Sequence, residues 1–279
     1  MNGFFRGVLE RISAHLRVVT TRPGSLRWPH NMLGTLLNTG AIFLGAILGL
    51  ATKLDVPMRR QQQIKVLLGV ATAWFGFKLL WDGLRWNGLL SSTARHCFYQ
   101  LVIVLVAMVL GHAIGKWCRI QAWMNHLGQS AKNKLENAAA DRAKAAGDGL
   151  MAAALLFCAA PLGLIGALED GLQRCFQPLA IKAVMDGLAA LSFARMFGWT
   201  ALLAAVPVAA FLSGIALLGD RLAPWLGAQG VLGVIHASAG LIMTCIALVI
   251  FEARKVEIAN YLPALVVAPA LMKLAQALL

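Results

Sequence analysis

From Asn31 onwards the chain is a succession of long apolar runs separated by short polar stretches. A crossing of the hydrocarbon layer takes about 20 mostly apolar residues. Charge-free runs of that size lie at Asn31 to Thr52, His96 to Gly115, Gly149 to Leu168 and Met196 to Gly219. A fifth lies within Leu222 to Phe251 and is placed at 229 to 251, after a turn around Pro224 and Gly227. Three further runs have the right length but carry charge: Ile64 to Trp81 with Lys65 and Lys78, Leu179 to Trp199 with Lys182, Asp186 and Arg195, and Ile258 to Leu278 with Lys273. The pattern predicts an all-α, polytopic transmembrane helical bundle of about seven to eight spans, with residues 32–279 as a single membrane domain.

Two segments stand outside this pattern. In residues 1–31, Phe4, Phe5, Val8, Leu9, Ile12, Leu16 and Val19 recur at helical spacing among five arginines, which predicts a basic amphipathic N-terminal extension lying on a membrane surface. Glu10, Arg11 and His15 interrupt the apolar stretch that a signal peptide requires, and Met32 offers an alternative start. In residues 116–148, Ile120, Trp123, Met124 and Leu127 share a helical face, and an Ala-rich stretch of mixed charge follows. This is the expected amphipathic cytoplasmic connection.

Positive charge is retained on the cytoplasmic side of a membrane. Lys53, Arg59 and Arg60, then Lys116, Arg119, Lys132, Lys134, Arg142 and Lys144, and finally Arg254 and Lys255 fall on one side of the alternating spans, against Arg85, Arg95, Arg174 and Arg221 on the other. The first span is therefore expected to start outside and residues 116–148 to lie in the cytoplasm. The arginines before Met32 conflict with that orientation.

Composition agrees with the bilayer as solvent. Hydrophobic residues make up 59% of the 279 and charged residues 13%, about half the share of a typical soluble domain; mean hydropathy is +0.71. The formal charge of +13 sits between spans, where anionic headgroups attract it, so no nucleic-acid partner is expected. The five cysteines are scattered and lack a CxxC pair, and neither a metal nor a cofactor is expected.

Candidate chemistry is confined to polar groups within the spans. Ionisable residues there are costly and face a bundle interior or an aqueous cavity. Asp186 leads, with Lys182 one turn before it: either a local ion pair or a solute or proton site. Asn38, Thr39 and Gly40 follow one another in the first span and either bind a solute or hydrogen-bond across helices. Glu169 and Asp170 close the fourth span, either as functional groups or as a solvated helix end. His112 and His236 suit packing or interhelical hydrogen bonds. Gly45 with Gly49, and Gly111 with Gly115, form GxxxG pairs for close helix approach, including association of copies of the chain. HExxH, GxSxG, Walker A and GxGxxG patterns are absent, and LLGD at Leu217 to Asp220 lacks the first glycine of the GxGD element of intramembrane aspartyl proteases. An enzyme is not expected.

Four blocks carry a resemblance to a family. MLGTLLNTGAIFLGAILGL at Met32 to Leu50, LLFCAAPLGLIGALEDGL at Leu155 to Leu172, KAVMDGLAALSFA at Lys182 to Ala194 and NYLPALVVAPAL at Asn260 to Leu271 are similar, in the same order, to the YqgA/YdfK-like bacterial membrane proteins, domain-of-unknown-function family 554. The resemblance implies a bacterial inner-membrane protein and marks Asn38, Thr39, Gly40, Asp170, Gly171, Asp186, Gly187, Asn260 and Pro263 as matching the polar or helix-breaking elements of its blocks. It implies no substrate. Glu169 and Arg195 depart from the pattern and are poor candidates for a shared role.

Likenesses between TGAIFLGAI in the first span and SAGLIMTCI in the seventh, and between GLMAAALLF at Gly149 and GLAALSF at Gly187, suggest internal repeats of the kind that build transporters around a midplane site. The expected function is a transporter or permease of a small solute or ion, with Asn38, Thr39, Gly40, Asp170, Asp186 and Asn260 as the binding residues. The alternative is a membrane scaffold or sensor acting through residues 116–148.

Overall fold

The computed structural model describes residues 32–52, 57–85, 94–140, 145–226, 230–254 and 256–278. The expectations for residues 1–31 lie outside them. The described elements are all helical: α1 (Leu33–Ala51), α2 (Met58–Leu84), α3 (Ala94–Trp117), α4 (Ile120–Ala140), α5 (Ala145–Cys158), α6 (Pro161–Gln173), α7 (Gln177–Phe197), α8 (Thr200–Leu203), α9 (Ala205–Leu226), α10 (Val231–Ile250), a 3₁₀ turn (Ile258–Tyr261) and α11 (Ala264–Leu278).

Six segments are long and apolar enough to cross a membrane: α1, α2, α3, the α8–α9 run, α10 and the 3₁₀–α11 run. The bent pair α5 and α6 is long and apolar enough, taken together, to count as a seventh if it crosses as one broken span. α7 has a span's length but carries Lys182, Asp186 and Arg195. This is the polytopic helical bundle that the apolar pattern predicts.

The boundaries differ where the backbone is special. The run Gly149 to Leu168 is not one helix: α5 stops at Cys158 and α6 starts at Pro161, with 61° between them. Proline lacks the N–H that would continue the helical ladder, but is at home in a first turn. The run expected to start at Met196 instead begins after Gly198, whose φ of 70° lies in the left-handed region and ends α7. α9 then continues through Pro224 and ends at Leu226, just before Gly227 of the expected turn.

Backbone contact at glycines fixes how the helices run. A Cβ on Gly45 would lie 2.1 Å from the Gly187 carbonyl oxygen, and one on Gly49 would lie 2.3 Å from that of Leu191. Position rises together along both chains, so α1 and α7 pack parallel. Gly83 meets Gly233 and Ala237, while Gly69 meets Phe251, so α2 and α10 pack antiparallel. Gly171 approaches the Ala216 carbonyl oxygen between α6 and α9, and Gly111 approaches Ala264 between α3 and α11. Small residues allow this approach where lipid supplies no hydrophobic drive between helices. The GxxxG faces expected to join copies of the chain are thus filled within it. The expected repeats are not matched in packing either, since α1 has a parallel partner and α10 an antiparallel one.

The connection after α3 is a single helix, α4, docked on α5. Ile120, Met124, Leu127, Ala131 and Leu135 form its sheltered stripe, whereas Trp123, expected on that stripe, is 62% exposed. Lys134 pairs with Asp148 across the junction at 3.0 Å. At the same end of the bundle Lys65 of α2 pairs with Glu252 after α10, which holds that exposed carboxylate below its usual range.

The glycines separate two outcomes. Gly45→Val should lower stability by roughly 3 kcal/mol or more, because the added side chain meets backbone that cannot give way. Gly40→Ala, whose Cβ would meet nothing within 4 Å, should raise it by about 0.5–1 kcal/mol through helix propensity. Denaturation of the purified protein in detergent checks both.

Candidate functional site

The polar groups of the bundle gather along α6 and α7, where these meet α1 and α10. α7 carries Lys182 and Asp186 on adjacent turns. Residues four apart share a helix face, so the two pair along their own helix, and both are buried, at 1% and 7% exposure. Asn38 of α1, fully buried, donates its Nδ2–H to Asp186 Oδ2 at 2.9 Å. The same oxygen accepts from the Lys182 ammonium.

The Lys182 stem is held by α6. A Cβ on Gly163 would lie 2.7 Å from Lys182 Cε, so the glycine at the third position of α6 makes room for the lysine. This places the ion pair beside the α5–α6 break. Both readings of Asp186 therefore start from the ion pair, which the structure contains.

Glu169 and Asp170 are not a solvated helix end; they are 0% and 1% exposed. Asp170 Oδ2 accepts the backbone N–H of Thr35 at 3.2 Å. It thereby caps the first turn of α1, where unpaired N–H groups carry partial positive charge. Gly34 permits the approach, since its Cβ would stand 2.9 Å from that oxygen. Glu169 points to α10, where Oε2 and Nδ1 of His236 share a hydrogen bond of 2.5 Å. Gln173, one turn on, donates to the Leu232 carbonyl at 3.1 Å. The backbone carbonyls of the two acids are closed by the turn that ends α6: Arg174, at φ 57°, donates its N–H to Asp170 O, and Cys175 donates to Glu169 O.

The expected site residues divide. Asn38, Asp170 and Asp186 are brought together along α1, with Thr35 and Asn38 about 4.5 Å apart on the helix axis. Thr39 shares the face of Thr35 and Asn38 and has a buried hydroxyl. Gly40 touches neither acid. Asn260 lies elsewhere: its Oδ1 accepts the Gln121 N–H at 3.0 Å and its Nδ2 donates to Glu257 at 2.7 Å, clasping the 3₁₀ turn to the start of α4. His112 stacks on Tyr261 with ring centroids 4.6 Å apart. Lys182, Glu169 and His236 join the site beyond the six residues expected to bind solute, His236 through an interhelical hydrogen bond of the kind expected of it. The lysine was signalled by its spacing from Asp186, but the other two meet only through folding, at a separation of 67 residues.

A charge inventory defines the site. The buried ionisable groups among the described residues are Glu169, Asp170 and Asp186 against Lys182 and His236. With the carboxylates ionised, acid exceeds base by one charge if His236 is protonated and by two if it is neutral. No three of His, Cys, Asp and Glu converge on a metal geometry among the described residues.

The family model described as a protein of unknown function, DUF554, matches residues 33–273. The chain belongs to that family. It is 24% identical over 241 residues to "Uncharacterized protein YqgA" of Escherichia coli (strain K12), covering 85% of this chain and 94% of that protein. It is 23% identical over 238 residues to "Uncharacterized membrane protein YdfK" of Bacillus subtilis (strain 168), with the same two shares covered. No solved structure matches. The apolar helices make this a membrane protein, and the family match spans the residues of the polar groups described above.

The ion pair gives a measurable asymmetry. Removing one member of a buried pair strands the other charge, at a cost of roughly 3–5 kcal/mol. Lys182→Met and Asp186→Asn should each destabilise by that order, and the double variant by clearly less than the sum of the two. A double-mutant cycle on detergent-solubilised protein measures the coupling.

Proposed function

We propose that this DUF554 protein is a multi-pass transporter of the bacterial inner membrane that carries a small solute or ion past the acidic cluster of α1, α6, α7 and α10. The observation that carries this reading is a buried set of three carboxylates and one lysine placed beside a broken span. Charge is expensive inside a membrane bundle and is retained at substrate and ion pathways. Discontinuous helices place their half-helix ends beside such sites. The absence of a sequence pattern for catalysis supports transport over enzymatic action, and the lack of an ATP-binding motif points to a gradient or downhill movement as the driving force.

The packing directions support eight crossings: α1, α2, α3, the α5–α6 pair, α7, α9, α10 and the 3₁₀–α11 run. The α4 end then faces the cytoplasm, as the positive charge at Lys116, Arg119, Lys132 and Lys134 favours. A scaffold acting through residues 116–148 draws less support, because the apolar stripe of α4 is turned to α5.

Two experiments test this reading. Cys118 is exposed; in a variant whose other cysteines are replaced by serine or alanine, a membrane-impermeant maleimide should label it in inside-out vesicles and not in intact spheroplasts. For transport, proteoliposomes challenged with a panel of ions and small polar solutes should show flux that Asp186→Asn lowers at least about tenfold, the order expected when one buried charged partner is lost. Flux through none of the panel, with the protein shown to be folded, would overturn the proposal.

A further inference from the structure

The unused oxygens of α1 point to what the site at Asp186 would hold. Helical hydroxyls in this bundle normally donate back to the carbonyl four residues earlier: Thr72 to Leu68 at 2.7 Å, Ser238 to Val234 at 2.7 Å and Thr244 to Gly240 at 2.9 Å. Thr39 lies one turn beyond Thr35 in the same kind of helix, yet its buried hydroxyl has no partner among the described residues. The same holds for the Thr35 hydroxyl and for Asn38 Oδ1. Thr35, Asn38 and Thr39 occupy one face of α1, the face that meets Asp170 and Asp186. Three neutral oxygens without partners among the described residues therefore lie on the face of α1 that meets the two aspartates.

We propose that Asp186 belongs to a site for a monovalent cation, in which the cation and the Lys182 ammonium take turns on the carboxylate. Asn38 holds the carboxylate with its amide N–H; half a turn of that amide presents Oδ1 instead, and the Thr39 hydroxyl adds a second neutral oxygen. One carboxylate with neutral oxygens suits a small, singly charged hard ion, whereas transition metals need nitrogen or sulfur ligands that do not converge here. Lys182 on its own helix and Cys158 at the end of α5 are the charged and titratable groups that act on Asp186, and α1 offers it only neutral groups. When the cation arrives, the ammonium leaves Asp186 along the Gly163 side of α6. This deepens the transport reading by naming the class of ion, and it rests on the same cluster.

The ion has two sources, an alkali metal or a proton, and binding can be read without transport. The full chain is purified in detergent and its melting temperature followed in sodium, lithium, potassium and choline chloride at equal ionic strength, across a series of pH values. A cation that binds the folded state raises the melting temperature in a saturable way. A rise with one alkali ion at fixed pH identifies that ion, and a rise with acid alone identifies the proton. Asp186→Asn should abolish the response. Lys182→Gln, which removes the competitor, should lower the half-saturating concentration about tenfold. Thr39→Val should raise it severalfold while leaving the fold intact. The inference is overturned if the wild-type protein shows no saturable response to any of these cations, or if folded Asp186→Asn, Lys182→Gln and Thr39→Val all respond as the wild type does. Solute flux in proteoliposomes that ignores every cation also overturns it and leaves the transport reading standing. A cation response without flux of any ion or solute overturns the transport reading and keeps the site.

Discussion

A helix with a lysine and an aspartate in its middle can stay inside an apolar bundle only if those charges meet each other and lipid is kept away from them. In α7 both conditions are met together. Lys182 and Asp186 lie one turn apart and pair along the helix, while Gly45 and Gly49 bring α1 to the backbone of α7 and Gly163 of α6 makes room for the lysine stem. The same closeness lets the short Asn38 side chain reach Asp186. Close packing and polar pairing are one device here, because a wider gap between helices would leave the pair to water or to hydrocarbon.

The break between α5 and α6 follows from the same demand. A continuous helix would carry its backbone groups past the site already paired, and its side chains would have to clear the lysine. Pro161 starts a new segment at a new angle, and Gly163 then gives the lysine stem its space. Further along the same short helix, Glu169 and Asp170 stand just inside its capped end, with their carbonyls closed by Arg174 and Cys175.

Much of this was legible in the sequence wherever the cause was local. The apolar runs located the spans, and the four-residue spacing of Lys182 and Asp186 announced the pair. The Asn38 and Thr39 doublet marked the face of α1 that matters. The internal ends of the spans were less legible, because Gly198 and Pro161 act through backbone geometry that an average over hydrophobicity does not register. Glu169 was misplaced for a different reason. Next to Asp170 and Gly171 it looked like the polar end of a helix, and only the distant His236 gives it a buried partner. Asn260 had the reverse history: a polar residue in a matching block proved to clasp a turn at the edge of the bundle.

Consecutive residues on a helix project about 100° apart, so Glu169 and Asp170 reach two different neighbours from one point of attachment. One grips α10 through His236 and the other grips the start of α1 through Thr35. α6 is in this sense a crank with two arms set at a fixed angle. If it rolls about its axis, one grip cannot be shifted while the other stays where it was, so helices far apart in sequence are geared to move in step.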